Sequence, residues 1–137
     1  MNKPKATAVW EGSGKTGKGK LNTFSGVLKD TPYTFKTRFE GAPGTNPEEL
    51  LAAAHAGCFT MKLAFNIDAA GFTATRLDTT CLITFEDGTI KASDLKVEAE
   101  IPGITQEAFQ QLVADAEKTC PVSQLFNAKI SAEGILK

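Results

Sequence analysis

The sequence lacks the features that mark membrane, nucleic-acid-binding or secreted proteins. Its formal net charge is −1, so no basic surface for nucleic acid or anionic lipid is expected. No uninterrupted apolar run is long enough to cross a bilayer. The basic start, M-N-K-P-K, is not followed by the apolar segment and cleavage site of a secretory signal. We therefore expect a cytoplasmic protein with no nucleic-acid or membrane partner.

Cysteine is also scarce in this chain. Among its 137 residues there are three cysteines, and an odd number of thiols in a reducing compartment argues against a structural disulfide framework. Length, together with the absence of repeats and linkers, predicts one domain over residues 1–137. The informative question is which of the three thiols, Cys58, Cys81 and Cys120, reacts.

Hydrophobic periodicity predicts strands, a helix, two strands, a second helix and a last strand. The first helix begins at Asn46 and ends near Gly71, and the second runs from Thr105 to a break at Pro121. This order predicts an α+β fold with antiparallel sheets and central helices. The predicted strands cover residues 7–11, 21–27, 33–39, 75–86, 95–101 and 129–136.

The first helix has a strong start signal in the segment T-N-P-E-E-L-L-A-A-A-H-A-G-C-F-T-M. Asn46 suits the N-cap and Pro47 the first helical position, while Glu49 at the third position would reach back to the cap amide. Its alanine- and glycine-rich first half would let another backbone come close. Just upstream, Arg38 falls on the polar face of the predicted strand 33–39, where spacing alone indicates a solvated arginine.

Cys58 lies inside this helix, and a thiol needs a nearby cation to react as the thiolate at neutral pH. Arg38, Lys62 and His55 are the candidates. His55 lies three residues before Cys58, which allows a Cys–His pair of the kind used in acyl-transfer hydrolases. A packed core histidine with one hydrogen bond is the simpler interpretation.

Cys120 lies on the inward stripe of the second helix, eleven residues after Phe109. It is 62 residues from Cys58, so a C-x-x-C motif is excluded, but a disulfide between two inward-facing thiols is not. Two inert buried cysteines fit the pattern equally well, and Cys81 is best explained as a small buried hydrophobe. A zinc site from His55, Cys58, Cys81 and Cys120 has suitable ligand types without zinc-knuckle spacing.

The segment T-R-F-E-G-A-P-G-T-N-P-E-E-L-L-A-A-A-H-A-G-C-F-T-M, with A-A-G-F-T and C-P-V-S further on, closely resembles the OsmC/Ohr family. The resemblance favours the osmotically inducible OsmC branch over the organic hydroperoxide resistance branch, and it covers nearly the whole chain. It implies a thiol-dependent peroxidase of oxidative and osmotic stress defence. Such an enzyme reduces organic hydroperoxides to alcohols and acts on hydrogen peroxide less efficiently.

The resemblance also implies roles for individual residues. Cys58 stands at the position of the peroxidatic cysteine and Cys120 at that of the resolving cysteine, so that the two would form an intramolecular disulfide. Arg38 matches the arginine that holds the thiolate, and Glu49 matches the glutamate that pairs with it. Intertwined homodimers, lipoyl-bearing proteins as dithiol reductants, and the absence of any metal or organic cofactor are further expectations.

Helix geometry constrains this assignment. Glu49 and Cys58 are nine residues apart, about 900° of rotation, which places them on opposite faces of a straight helix. One pocket can hold both only if the helix breaks between them or if they come from different chains. The sequence therefore suggests a site shared between two subunits. A hydrolase that uses Cys58 and His55 and a non-catalytic protein with inert thiols remain the alternatives.

Overall fold

The chain divides into two compact units, residues 1–50 and residues 51–137, which are described separately. The computed structural model describes all residues from Met1 to Lys137. The prediction of a single domain over residues 1–137 stays a prediction.

The first unit contains a small antiparallel sheet. Strands β1 (Ala6–Glu11), β2 (Lys18–Thr23) and β3 (Thr31–Tyr33) pair in the order β1-β2-β3. The predicted hairpin is therefore present, but its second strand ends at Tyr33. The chain then enters a short helix, α1 (Phe35–Phe39).

The prediction of a strand over residues 33–39 is wrong because a local cap favours a helical turn. The Thr37 backbone N–H donates to the Thr34 hydroxyl at 3.2 Å, and the Thr34 backbone N–H donates to the Thr37 hydroxyl at 2.9 Å. This reciprocal pair is a capping box with threonine in the place where glutamate is usual. Arg38 consequently belongs to the last turn of a helix and not to a strand face.

Helix α2 (Pro47–Ala69) connects the two units and begins where the sequence predicts. The Glu49 backbone N–H donates to Asn46 Oδ1 at 2.8 Å, which confirms Asn46 as the cap. The helix is continuous, so the break that the sequence allowed between Glu49 and Cys58 does not occur. By length and a mean hydropathy of 1.3 it could cross a bilayer, a criterion that core helices also meet. The expectation that no segment reaches this threshold is thereby corrected.

The second unit contains a three-stranded sheet in the order β4-β5-β6. Strands β4 (Arg76–Glu86) and β5 (Thr89–Glu100) form the predicted antiparallel hairpin, closed by Asp87 and Gly88 at positive φ. Strand β6 (Lys129–Leu136) pairs with β5 in parallel, which corrects the expectation of purely antiparallel sheets. A parallel partner needs a long crossover, and two helices supply it.

The crossover consists of α3 (Gln106–Thr119) and α4 (Pro121–Leu125). Thr105 caps α3 by accepting the Ala108 N–H at 3.1 Å, as predicted. Cys120 ends α3, and Pro121 takes the first position of α4, where its missing N–H removes no hydrogen bond. The predicted break at Pro121 is therefore confirmed.

The hydrophobic core belongs to the second unit. Helix α2 contributes residues spaced four apart, which lie on one face, and β5 and α3 contribute most of the others. Mixed α+β architecture with two small sheets and central helices is the result, as predicted. The buried hydrophobic residues are Phe59, Leu63, Ile67, Leu95, Val97, Ala99, Ile101, Phe109, Val113, Ala116 and Cys120.

Candidate active site

Two of the three thiols lie next to each other. Cys58 Sγ on α2 and Cys120 Sγ at the end of α3 are 2.9 Å apart, although 62 residues separate them in the chain. Both are free thiols, Cys58 half-buried and Cys120 fully buried. A disulfide bond measures about 2.05 Å, so its closure would shorten the sulfur–sulfur distance by less than about 1 Å.

The local fold explains why the two sulfurs meet. Cys58 directly precedes Phe59, whose side chain is fully buried in the core. Cys120 is held by its backbone N–H, which donates to the Ala116 carbonyl at 3.0 Å. The break at Pro121 stops the helix at this point, so the thiol is presented at a helix end whose backbone is fixed.

The surroundings of Cys58 within its own unit favour the neutral thiol. Burial raises the pKa of Cys58, and the hydrogen bond with Cys120 raises it further. The hydrogen bond that the Val122 backbone N–H donates to the Cys58 sulfur lowers this pKa. A thiol reacts as the thiolate, so a nearby cation would be needed to offset the effect of burial if this sulfur were a nucleophile.

The first unit contains an ion pair between Arg38 and Glu48. Arg38 Nε lies 3.1 and 3.2 Å from the two carboxylate oxygens, and Nη2 lies 2.7 Å from Oε1. Glu48 is nearly buried, whereas the Arg38 side chain is 37% exposed. The hydrogen bond with Glu48 raises the pKa of Arg38, so the guanidinium is a permanent, firmly oriented cation.

This pair corrects the prediction that Glu49 holds Arg38. The Glu49 carboxylate instead accepts a hydrogen bond from the Thr45 hydroxyl at 2.8 Å, and its backbone N–H serves the Asn46 cap. Successive helical side chains point about 100° apart. In the E-E pair, therefore, Glu48 faces the arginine and Glu49 remains at the exposed helix start.

An open cavity of ≈ 690 Å³ lies beside Arg38 in the first unit. Its wall is mainly aromatic: the ring centroids of Trp10 and Tyr33 are 5.4 Å apart, and those of Phe35 and Phe39 are 4.8 Å apart. Sequence reasoning missed this arrangement because the four aromatic residues come from three separate elements, β1, β3 and α1. The cavity is lined by Trp10, Ser13, Gly14, Lys15, Tyr33, Thr34, Phe35, Arg38 and Phe39.

His55 is fully buried, as expected for a core histidine, but it has two hydrogen-bond partners where one was predicted. Nδ1 lies 2.5 Å from Ser93 Oγ, and Nε2 lies 2.7 Å from Ser123 Oγ. Burial lowers the pKa of His55 and so favours the neutral ring. Because both nitrogens are engaged by serines, the geometry gives no support to a catalytic pair of His55 with Cys58.

Cys81 lies apart from the reactive pair. Its sulfur is 3.3 Å from Ser93 Oγ and 4.0 Å from His55 Nδ1. Burial raises the pKa of Cys81, as it does that of Cys58, so the two thiols differ in their neighbours: Cys81 contacts a serine and a histidine, and Cys58 contacts a second thiol. The structure contains no group of three or more His, Cys, Asp or Glu side chains arranged to hold a metal. His55, Cys58, Cys81 and Cys120 therefore do not form a zinc site.

Comparison with known proteins gives a consistent result. Residues 39–133 match the family model described as OsmC-like protein. The chain is 46% identical to peroxiredoxin OsmC of Escherichia coli K12, over 97% of this chain and 96% of that protein. A peroxiredoxin OsmC of Shigella flexneri matches to the same extent.

Solved structures show the same fold. An OsmC-like protein from Mycoplasma pneumoniae superimposes with a TM-score of 0.76 at 15% identity, covering 98% of this chain and 97% of that one. An organic hydroperoxide resistance protein from Elizabethkingia anophelis gives a TM-score of 0.68 at 26% identity, covering 100% and 96%.

Proposed function

The chain belongs to the OsmC-like protein family, and we propose that it is a thiol-dependent peroxidase that reduces organic hydroperoxides to alcohols. Hydrogen peroxide would be a poorer substrate. One observation carries this proposal: the sulfurs of Cys58 and Cys120 lie 2.9 Å apart in the reduced protein. Two free thiols at this distance can pass from a sulfenic acid to a disulfide with little movement of the backbone.

The reaction would proceed in three steps. The Cys58 thiolate attacks the distal oxygen of ROOH; the O–O bond breaks, ROH leaves after taking up one proton, and Cys58 becomes a sulfenic acid. Cys120 then attacks the Cys58 sulfur, the S–O bond breaks, and water leaves as the disulfide forms. An external dithiol reduces that disulfide by exchange and is itself oxidised.

Arg38 is the proposed source of the cation that Cys58 needs. Its guanidinium is fixed by Glu48 through three hydrogen bonds, while its side chain remains partly exposed and lines an aromatic cavity. A thiolate beside this cation would be stabilised, and the aromatic wall would favour the organic part of a hydroperoxide. Glu48 takes the positioning role that the sequence assigned to Glu49.

A homodimer is the assembly in which we propose that this site works. Helix α2 is continuous, and its first half is rich in alanine. Further along, Met61 and Phe65 are 65% and 64% exposed on one face of the helix, beside the outward-facing Gly57. Large apolar side chains four residues apart on an open helix face are typical of a surface that a second copy covers. Arg38 of one subunit would then serve Cys58 of the other.

The physiological setting is proposed from the family. The E. coli relative is named a peroxiredoxin and the relatives from the Ohr branch are named organic hydroperoxide resistance proteins. We infer a cytoplasmic enzyme of oxidative and osmotic stress defence. A dithiol would reduce its disulfide, and lipoyl-bearing proteins would supply that dithiol in the cell. Dihydrolipoamide is accordingly the reductant to use in the laboratory.

Steady-state turnover of cumene hydroperoxide with dihydrolipoamide tests the proposal. Cys58→Ser should abolish turnover, because a serine hydroxyl cannot form a sulfenic acid. Cys81→Ser is the matched control, since it removes the thiol that lies outside the reactive pair, and it should keep the activity. Full activity of Cys58→Ser, or none in the wild type with any hydroperoxide, would refute a peroxidase based on Cys58.

A further inference from the structure

His55 connects the two segments that carry the reactive cysteines. It lies on α2 three residues before Cys58, and its Nε2 contacts the hydroxyl of Ser123, which lies three residues after Cys120. Its Nδ1 contacts Ser93 on β5. The histidine therefore joins α2 to α4 on one side and to the central strand on the other, independently of the contact between the sulfurs.

All three side chains of this connection are buried. His55 and Ser93 have no exposed surface and Ser123 is 6% exposed. The imidazole also packs edge-on against Phe126, with 5.1 Å between ring centroids. Burying a polar side chain costs free energy unless well-placed partners replace the hydrogen bonds that it loses to water. The connection is thus a fixed joint and not a surface contact that solvent can replace.

Helix α4 is tied to the core mainly through two side chains, the partly buried Val122 and the buried Ser123, while Gln124 bonds back to the end of α3. It spans only Pro121–Leu125, and its N-cap residue makes no side-chain capping bond. Ser123 is its one buried residue, whereas Leu125 is 75% exposed. A helix of five residues is not stable by itself. The hydroxyl of Ser123 is therefore the buried polar anchor of α4, and it acts in addition to the core packing and the Ala116 hydrogen bond that hold Cys120.

We propose that His55 and Ser123 form a clamp that holds Cys120 in position to resolve the Cys58 sulfenic acid. This rests on the proposed peroxidase function. His55 and Ser123 are positioning residues, since neither contacts the reacting sulfurs. Attack by Cys120 on sulfur requires close approach along the S–O bond, and a displacement of about 1 Å slows such a step strongly.

A competing reaction makes the clamp measurable. If Cys120 is slow, a second hydroperoxide transfers an oxygen to the sulfenic acid, releasing a second alcohol and leaving Cys58 as sulfinic acid. Resolution yields disulfide and water, whereas over-oxidation yields the irreversible product. The ratio of sulfinic acid to disulfide formed per turnover therefore reports the position of Cys120. The first oxidation of Cys58 does not involve Cys120 as a reactant.

The experiment removes, one at a time, the two serine hydroxyls that contact the ring nitrogens of His55. Protein reduced in advance is treated with graded cumene hydroperoxide, and mass spectrometry measures sulfinic acid and disulfide on Cys58. Ser123→Ala should raise the sulfinic fraction per turnover by roughly tenfold or more, while the rate constant of the first oxidation stays near that of the wild type. Ser123→Thr, which keeps the hydroxyl, should restore most of the resolution.

Ser93→Ala is the control, because it deletes a buried hydroxyl that contacts the same ring but belongs to β5 and not to α4. The ratio of sulfinic acid to disulfide in Ser93→Ala should remain near that of the wild type. Equal rises in Ser93→Ala and Ser123→Ala, or no rise in Ser123→Ala, would overturn the clamp. If Ser123→Ala does not fold, as judged by circular dichroism, His55→Gln supplies the second variant with the same expected rise, and an unchanged ratio there would likewise refute it.

Failure of the clamp can be told apart from failure of the peroxidase. Without a peroxidase function, wild-type protein forms neither disulfide nor sulfinic acid with the hydroperoxide. If only the clamp is wrong, wild-type protein closes the disulfide, and Ser123→Ala gives the same ratio of sulfinic acid to disulfide as the wild type.

Discussion

The two units of the chain hold the groups of the candidate site by different means. In the second unit, Cys58 and Cys120 are fixed by a buried hydrophobic core to which α2, β5 and α3 all contribute. In the first unit no hydrophobic side chain is buried, and Arg38 and Glu48 are held by helix caps and by their own ion pair. The thiol pair is thus a product of packing, and the ion pair is a product of local hydrogen bonds.

This difference separates two requirements of the proposed chemistry. The sulfur–sulfur distance is set within one chain, so disulfide closure needs only a folded second unit. Arg38, the cation proposed to activate Cys58, belongs to a unit in which large apolar side chains such as Val9 and Phe24 are exposed. We expect changes in the core to act on stability, and changes around Arg38 to act on the rate of the first oxidation.

The largest effect is expected in the core. Phe59→Ala should destabilise the protein by about 3–5 kcal/mol, because it leaves a cavity in the buried core cluster to which Phe59 belongs. Phe24→Ala, the same change at a side chain that is 87% exposed, should stay within about 0.5 kcal/mol. Urea unfolding followed by circular dichroism gives both values. Equal losses would mean that the first unit is as tightly packed as the second.

Removal of the cation is expected to have the next largest effect. Arg38→Ala should lower kcat/KM for cumene hydroperoxide by roughly 100-fold, or about 2.7 kcal/mol. It should also reduce stability, because it leaves the nearly buried Glu48 carboxylate without this partner. Since a neighbouring cation favours the thiolate, its removal should raise the pKa of Cys58. The pH profile of kcat/KM should then shift to higher pH. A profile that does not move would exclude Arg38 from the activation of Cys58.

The smallest effect is expected at the two neighbouring glutamates, whose substitutions should lower kcat/KM to different extents. Glu48→Gln should lower kcat/KM by roughly tenfold, because an amide holds the guanidinium less firmly than a carboxylate does. Glu49→Gln should change it less than about twofold, since this side chain contacts Thr45 and not the arginine pair. Stopped-flow oxidation of the reduced protein measures both. The reverse order would restore Glu49 as the partner that the sequence suggested.

Local signals in the sequence predicted much of the fold. The caps at Asn46 and Thr105, the β4–β5 hairpin and the break at Pro121 each depend on residues within a few positions. The short helix α1 was missed because aromatic alternation resembles a strand, while the deciding Thr34–Thr37 cap is a less common form of the capping box.

The site was predictable only in part because its contacts are long-range. The motif suggested Cys58, Cys120 and Arg38 and assigned Glu49 as the partner of Arg38. The structure pairs Arg38 with Glu48, because the direction of the helix face decides between adjacent glutamates. The partners of His55 lie 38 and 68 residues away, at Ser93 and Ser123. No spacing rule connects them, and only the packing of α2 against β5 and α4 brings them together.

Mapping the disulfide tests the central claim most directly. Reduced protein is treated with one equivalent of cumene hydroperoxide, alkylated, digested and analysed by mass spectrometry. We expect a bond between Cys58 and Cys120 of the same chain, with Cys81 recovered as the alkylated thiol. Unmodified Cys58, or a disulfide that contains Cys81, would contradict the assignment of Cys58 and Cys120 as the redox pair.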